Sequence, residues 1–483
     1  MLDTMLASGG DERLLVDPRT GRNRYGVPPG SAAGEIWFSS SVAAAASPRG
    51  LASAARALDR TIRATDSLSL PGMFDHIREG VVGLFAPQGA EIALAGSGPE
   101  AEFILLAAAA SLLSNPMTSL VIAPGESDEE FALAANGQHF IQFPPFGAEL
   151  TRGGKAEGFA RDRRSVTIEL RDRYGVPLEP AQVDCAVEKH VARALAQGRD
   201  VLLHLVDCSQ TGRSGPSRAC AAKLAAAHPG RVLVAVDIRQ LRCQREQIAA
   251  DLEAGFIVLL SGSHFAGGPP FSGAILFPPA VVEKLGPIPL PAGLAACSAA
   301  LDWSPRLRDK IEGDFSALAN LGLGLRWQCA LAELEAYFAL DIDTRQRIGA
   351  RFALELHAHL DASPHLRLLD CDWRESSNAR RIFPIVTFDD RGRAFSAEKL
   401  HRALAEPHAR RGRRSRDERP IHLGAPVAIG PMQALRLSLS APQVNSVADR
   451  LREGMSFDAA FHPLSNDLAE TFGRWNELAA RDA

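Results

Sequence analysis

Lysine is scarce in this 483-residue chain: Lys155, Lys189, Lys223, Lys284, Lys310 and Lys399 are all it has, against a lysine-plus-arginine total of 53. Cationic contacts therefore fall to arginine, and any chemistry that needs a free amine has six candidates. Paired cysteines are missing too. Cys185, Cys208, Cys220, Cys243, Cys297, Cys329 and Cys371 stand singly, with no CxxC spacing and no histidine-rich cluster. That pattern argues against a disulfide framework or a zinc site and fits reduced thiols. No run approaches the roughly 20 apolar residues that a membrane span needs. The opening MLDTMLASGGDERLL carries acid where a signal peptide would be basic and then apolar. A formal net charge of -4 gives no reason to expect nucleic acid or an anionic membrane as partner. The expectation is a soluble cytoplasmic protein without internal repeats.

What is present is core-forming material. At 46% hydrophobic residues and this length, two or three lobes are expected rather than one compact unit. Residues 1–80 read as a Gly-, Pro- and Ser-rich arm followed by Ala-rich helices. From Glu91 the texture is strand–helix alternation: EIALAG, SLVIAPG, SVTIEL, DVLLHLVD, RVLVAVD, FIVLLSGS and SGAILFP are apolar runs. Helical patterns fall between most of them. Such runs predict an α/β fold, with a seven-stranded, mostly parallel sheet covered by helices on both faces over about 81–304. Connecting helices follow at about 305–345. A smaller α+β domain, with RIFPIVTF and ALRLSLS as strands, takes 346–483. The basic loop PHARRGRRSRDERP within it reads as a solvated surface.

In doubly wound sheets, ligands gather at the carboxyl ends of the strands. Four such ends are polar here. GSGPE places Ser97 and Gly98 at the start of a helix, where free amides attract anions, although any tight strand–helix turn favours these residues. Asp237 closes the apolar RVLVAV and Gln240 follows it. A carboxylate there needs a partner, which a protonated ring nitrogen or a nearby arginine, Arg239 or Arg242, would provide. Ser261 and Ser263 lie in the small-residue turn of FIVLLSGSHFAGGPPFSGAILF, and Ser209 in VDCSQTGRSGPS.

Together these segments resemble the fold-type I pyridoxal-phosphate-dependent transferases, near the aminotransferase class V and cysteine desulfurase branch. In that family Asp-x-x-Gln precedes Ser-Gly-x-Lys by some two dozen residues. Here the matching stretches are DIRQ and SGSH, followed by FAGGPPFSGAILF. The resemblance covers about residues 80–300 and, more loosely, the C-terminal part. It implies pyridoxal 5'-phosphate or pyridoxamine 5'-phosphate as cofactor. Ser97, Gly98, Ser261 and Ser263 would hold the phosphate. Asp237 would pair with the pyridine nitrogen and keep it protonated. Gln240 would donate to the ring's phenolic oxygen, and Ser209 would make a second ring-oxygen contact. Glu126 falls where the family sets a residue over the ring face, and the expected aromatic or histidine is absent. Arg436 matches a strand arginine for a substrate carboxylate, with Arg381 as competitor. The family's sites form between subunits, which implies a homodimer. The arm, with Arg24, Tyr25 and Trp37, would cover the site of its own or the other subunit.

The chain departs from the family at His264, which stands where the cofactor-binding lysine should be; none of the six lysines lies on this turn. Histidine forms no stable covalent bond with the cofactor, so binding would be non-covalent. One reading keeps catalysis on a small-molecule amine or amino acid, with His264 as general base. A sugar 3-dehydratase group in the same superfamily carries histidine at this place. The alternatives are a catalytically inactive protein serving as partner of a lysine-bearing paralogue, and a lysine-to-histidine variant of an ordinary enzyme.

Overall fold

The computed structural model of the chain describes residues 1–63, 69–126, 129–159, 162–369, 382–406, 409–410, 413–414 and 418–481. Arg381 and most of the basic loop lie outside the described residues.

Sixteen short and long strands occur among them. The first, β1 (Ile36–Phe38), belongs to the arm. The next seven are β2 (Glu91–Ala95), β3 (Met117–Ile122), β4 (Arg163–Ile168), β5 (Asp200–Val206), β6 (Val232–Asp237), β7 (Ile257–Ser261) and β8 (Gly273–Phe277). They make one sheet in the order β2-β8-β7-β6-β5-β3-β4. Neighbours from β4 to β7 run parallel, and β8 is antiparallel to both β7 and β2. This is the seven-stranded, mostly parallel sheet expected from the apolar runs.

The strands read as continuous apolar runs because both faces are buried. Side chains alternate between two cores: Val201, Leu203 and Leu205 of β5 join one, and Leu202 the other. Val258 and Leu260 of β7 likewise part from Ile257 and Leu259. The helix Gly98–Leu112 is apolar on nearly every side, since it lies between the sheet and further structure. Ser97 caps it, with its side chain accepting from the Glu100 amide, and Pro99 sits in the first turn.

Two-residue β9 (Ile288–Pro289) and β10 (Ile311–Glu312) pair in parallel. A second sheet has the order β1-β15-β16-β12-β11, where β11 is Leu366–Leu368, β12 Ile382–Thr387, β15 Ile421–Ile429 and β16 Met432–Ser438. The remaining pair, β13 (Ala409–Arg410) and β14 (Arg413–Arg414), forms a short antiparallel ladder. The arm is thus built into the C-terminal sheet: Ile36 pairs with Ile421 and Phe38 with Leu423.

The helix Leu321–Phe338 ties the arm to the large sheet. Its Arg326, fully buried, donates to the carbonyls of Phe271, Leu6 and Ser8 at 2.8, 3.0 and 2.6 Å. Trp327 Nε1 donates to the Gly273 carbonyl at 2.9 Å. These bonds fix the loop before β8, on which the site depends. No described helix is long and apolar enough to cross a membrane.

Candidate functional site

The carboxyl ends of β2, β5, β6 and β7 open onto two small adjoining cavities. One, of about 60 Å³, is bordered by Ser97, Gly98, Ser261, Ser263, Arg13 and Tyr25 among others. The other, of about 40 Å³, is bordered by Glu126, Ser209, Asp237 and Gln240. His264, Arg239 and Gln210 line both. Eleven of the residues singled out in the sequence therefore meet in one cleft, with His264 lining both halves. Arg436 lines neither cavity, nor does any of the six lysines.

The first half is built for an anion. Ser97 and Gly98 stand at the N-terminus of a fifteen-residue helix, the positive end of its dipole. The Ser261 and Ser263 hydroxyls lie 2.8 Å apart, and the Ser263 amide donates to Ser261 Oγ at 3.1 Å. From the arm, Arg13 sends Nη2 to Ser97 Oγ at 3.1 Å. The same guanidinium grips both Asp11 oxygens, at 2.9 and 2.7 Å, and lies 5.2 Å from the Phe271 ring centroid. Burial works against its charge, but Tyr25 and Asp11 outweigh it and raise the pKa further. Small residues keep the backbone close: a Cβ on Gly273 would meet the Ala95 carbonyl oxygen at 3.0 Å.

The second half is filled by the chain itself. Arg239 donates to Asp237 through its amide at 3.0 Å, Nε at 2.9 Å and Nη2 at 2.6 Å. Its guanidinium lies 4.3 Å above the Phe131 ring. Its far end reaches across the cleft, so that a Cβ on Gly98 would fall 2.0 Å from Nη1. Burial alone would raise the Asp237 carboxyl; the charge and hydrogen bonds of Arg239, with a smaller contribution from His264, hold it below its ordinary range. Glu126 is drawn into the interior, accepting from Ser209 Oγ, Thr211 Oγ1 and, at 2.9 Å, Arg171 Nε. Gln240 spends its amide nitrogen on the Ser41 carbonyl at 2.8 Å, while its buried Oε1 has no hydrogen-bond partner among the described residues.

Other candidates sit elsewhere. Arg436 is buried on β16, with Nε and Nη2 on the Ala425 carbonyl at 3.0 and 2.8 Å. Trp37 stacks on His422 at 3.8 Å between centroids, and Arg24 pairs with Glu130 at 2.9 Å. Tyr25 does face the cleft, and with Arg13, Ser41 and Val42 it lays the arm over this chain's own site. Sequence reasoning did not find Arg13, Gln210 or Phe131. Gln210 had a signal, being next to Ser209 at a strand end; Arg13 had none, since only the folded arm brings it there. Ala123, Leu241 and Phe271 are the non-glycine residues with positive φ (48°, 50° and 71°) among those described, and Phe271 lines the cleft.

The residues present fit a pyridoxal-type phosphate ester at its two ends, with serine hydroxyls and a helix N-terminus at one and a strand-end carboxylate at the other, while Arg239 lies between them. This arrangement of sheet, helix and strand ends is the architecture of the fold-type I pyridoxal-phosphate enzymes. Three solved structures share it. The cysteine desulfurase CsdA from Escherichia coli gives a TM-score of 0.57 at 16% identity, covering 92% of this chain and 96% of that one. An aspartate aminotransferase of subgroup IV from Thermus thermophilus gives 0.53 at 17%, over 90% and 98%. A NifS-like protein gives 0.54 at 12%, over 92% and 99%. At these identities the likeness shows the fold alone. No family model matches the chain, and no curated protein matches it.

Proposed function

We propose that the protein binds pyridoxal 5'-phosphate or pyridoxamine 5'-phosphate without a covalent link and acts on an amino acid or related amine, with His264 as general base. The observation that carries this reading is the position of His264, which lines both halves of the cleft. It thus lies between the anion cradle and the Asp237 carboxylate. Ser97, Gly98, Ser261 and Ser263 bind the phosphate through hydroxyls and helix-end amides. Asp237 would hold the protonated ring nitrogen, and Gln240 and Ser209, which line the same half of the cleft, would hold the ring oxygen. Bound there, the cofactor supplies an electron sink for the substrate's Cα electrons. His264 takes the Cα proton and returns it, a task suited to imidazole near neutral pH. Tyr25 and the arm exclude water from above. No lysine lines the cleft to release product by exchange, so repeated transamination would be slow. His264 would serve proton transfer at the substrate's Cα and would not serve amine exchange. A homodimer belongs to this reading.

The second reading is an inactive fold-type I protein that partners a lysine-bearing paralogue. It draws on one observation: Arg239 already satisfies Asp237. Absorbance titration with pyridoxal 5'-phosphate and with pyridoxamine 5'-phosphate separates the two. Saturable binding, weakened at least tenfold in Asp237→Ala and followed by spectral change on adding amino acids, is the expected result. Failure to bind either compound overturns the enzyme reading.

A further inference from the structure

Resting on that cofactor reading, we infer that Arg239 is a built-in occupant of the ring position and sets the class of ligand the cleft accepts. Its guanidinium is a flat, delocalised cation. It is clamped to both Asp237 oxygens, stacked on Phe131, and extended until it abuts Gly98 at the anion cradle. A flat heteroaromatic ring with a protonated nitrogen would use the same carboxylate, and a phosphate attached to it would reach the same helix end. The two compete for one space.

The competition has a direction. Asp237 is buried at the end of β6, and a ligand that pushes Arg239 aside without bringing a positive charge leaves that carboxylate without a cation. The cleft therefore selects a phosphate ester of an N-protonated heteroaromatic and rejects the neutral ring of the same shape. Through Arg239 the chain provides Asp237 with its own counter-ion. The two cavities, about 60 and 40 Å³, are what remains around that side chain. A ligand that must first displace an internal competitor binds with an affinity lowered by the population of the displaced state. Removing the competitor restores that affinity, at the cost of a less stable ligand-free protein.

The test is equilibrium binding, followed by quenching of tryptophan emission, for the native protein, Arg239→Ala and Arg239→Gln. The glutamine variant keeps the bulk should alanine fail to fold. Three probes are used: pyridoxal 5'-phosphate, its analogue with CH in place of the ring nitrogen, and inorganic phosphate. Both variants are expected to bind pyridoxal 5'-phosphate at least tenfold more tightly than native, with phosphate affinity changed less than threefold. The native protein is expected to favour pyridoxal 5'-phosphate over the CH analogue by at least tenfold. Unchanged or weaker binding of pyridoxal 5'-phosphate in both variants overturns the inference while leaving the cofactor reading in place. A parallel loss of phosphate binding would make Arg239 an anion ligand instead. Lack of pyridoxal 5'-phosphate binding by every form, native and variant, overturns the cofactor reading and this inference together.

Discussion

The two halves of the cleft are made from the same material, polar residues at the ends of buried strands, yet they are finished differently. Around Ser97, Ser261 and Ser263 the partners are neutral hydroxyls and an amide, with the tip of Arg13, itself held by Asp11, at one edge. Around Asp237 and Glu126 the partners are guanidinium groups already engaged, Arg239 on one and Arg171 on the other. Charge accounts for the contrast. A buried hydroxyl without a partner costs little beside a buried carboxylate without one, so the carboxylates have to be matched inside the chain whenever no ligand is bound. The half proposed to take the ring therefore has its carboxylates matched by ion pairs, whereas in the half proposed to take phosphate the ion pair is the one the arm brings, Arg13 with Asp11.

That contrast can be broken by substitution. Asp237→Ala should have the largest effect on the ligand-free protein. It strands the Arg239 cation and lowers stability by about 3 kcal/mol in chemical denaturation, and adding Arg239→Ala should recover part of the loss. Glu126→Gln should follow at about 2 kcal/mol, since Ser209, Thr211 and Arg171 all lose a charged acceptor. Ser261→Ala should cost no more than about 1 kcal/mol of stability, yet weaken binding of inorganic phosphate several-fold by calorimetry. A stability loss matching that of Asp237→Ala would erase the distinction between the halves.

The smallest effect is on the pH profile, and it comes from His204 beneath the second half. Its ring lies 3.0 Å from both Glu102 oxygens and 3.1 Å from the Leu120 carbonyl. Burial opposes its charge, but Glu102 outweighs it and raises the folded-state pKa. The stabilising contribution is then complete below the ordinary histidine value near 6.5 and is lost as pH rises through the raised folded value. Glu102→Gln should flatten that slope above neutrality. An unchanged slope would show that the pair does not titrate with folding.

Much of this was legible before folding. Continuous apolar runs bounded by small and polar residues are the direct imprint of strands buried on both faces, which is why all seven strands of the large sheet could be placed. Ser97, Asp237, Gln240, Ser261 and His264 could be grouped because the apolar runs mark the strand ends, and these residues line one cleft in the fold. Partnership was not readable. Arg239 stood two residues from Asp237 as one option, and only the fold shows it bent back and stacked on Phe131, more than a hundred residues away in sequence. For Arg436 likewise, only the fold shows Nε and Nη2 on the Ala425 carbonyl. The arm was seen as a cover, but its strand pairing with Ile421–Leu423 depends on a tertiary contact that no local pattern encodes.

The central claim is that a cofactor sits in this cleft without a covalent bond to the chain. It is tested most directly by saturating the protein with pyridoxal 5'-phosphate, reducing with borohydride and measuring the intact mass. The account predicts saturable binding before reduction and an unmodified mass after removal of free ligand, with His264→Lys gaining one reduced cofactor. A native protein carrying a cofactor on any of its six lysines under those conditions would contradict it.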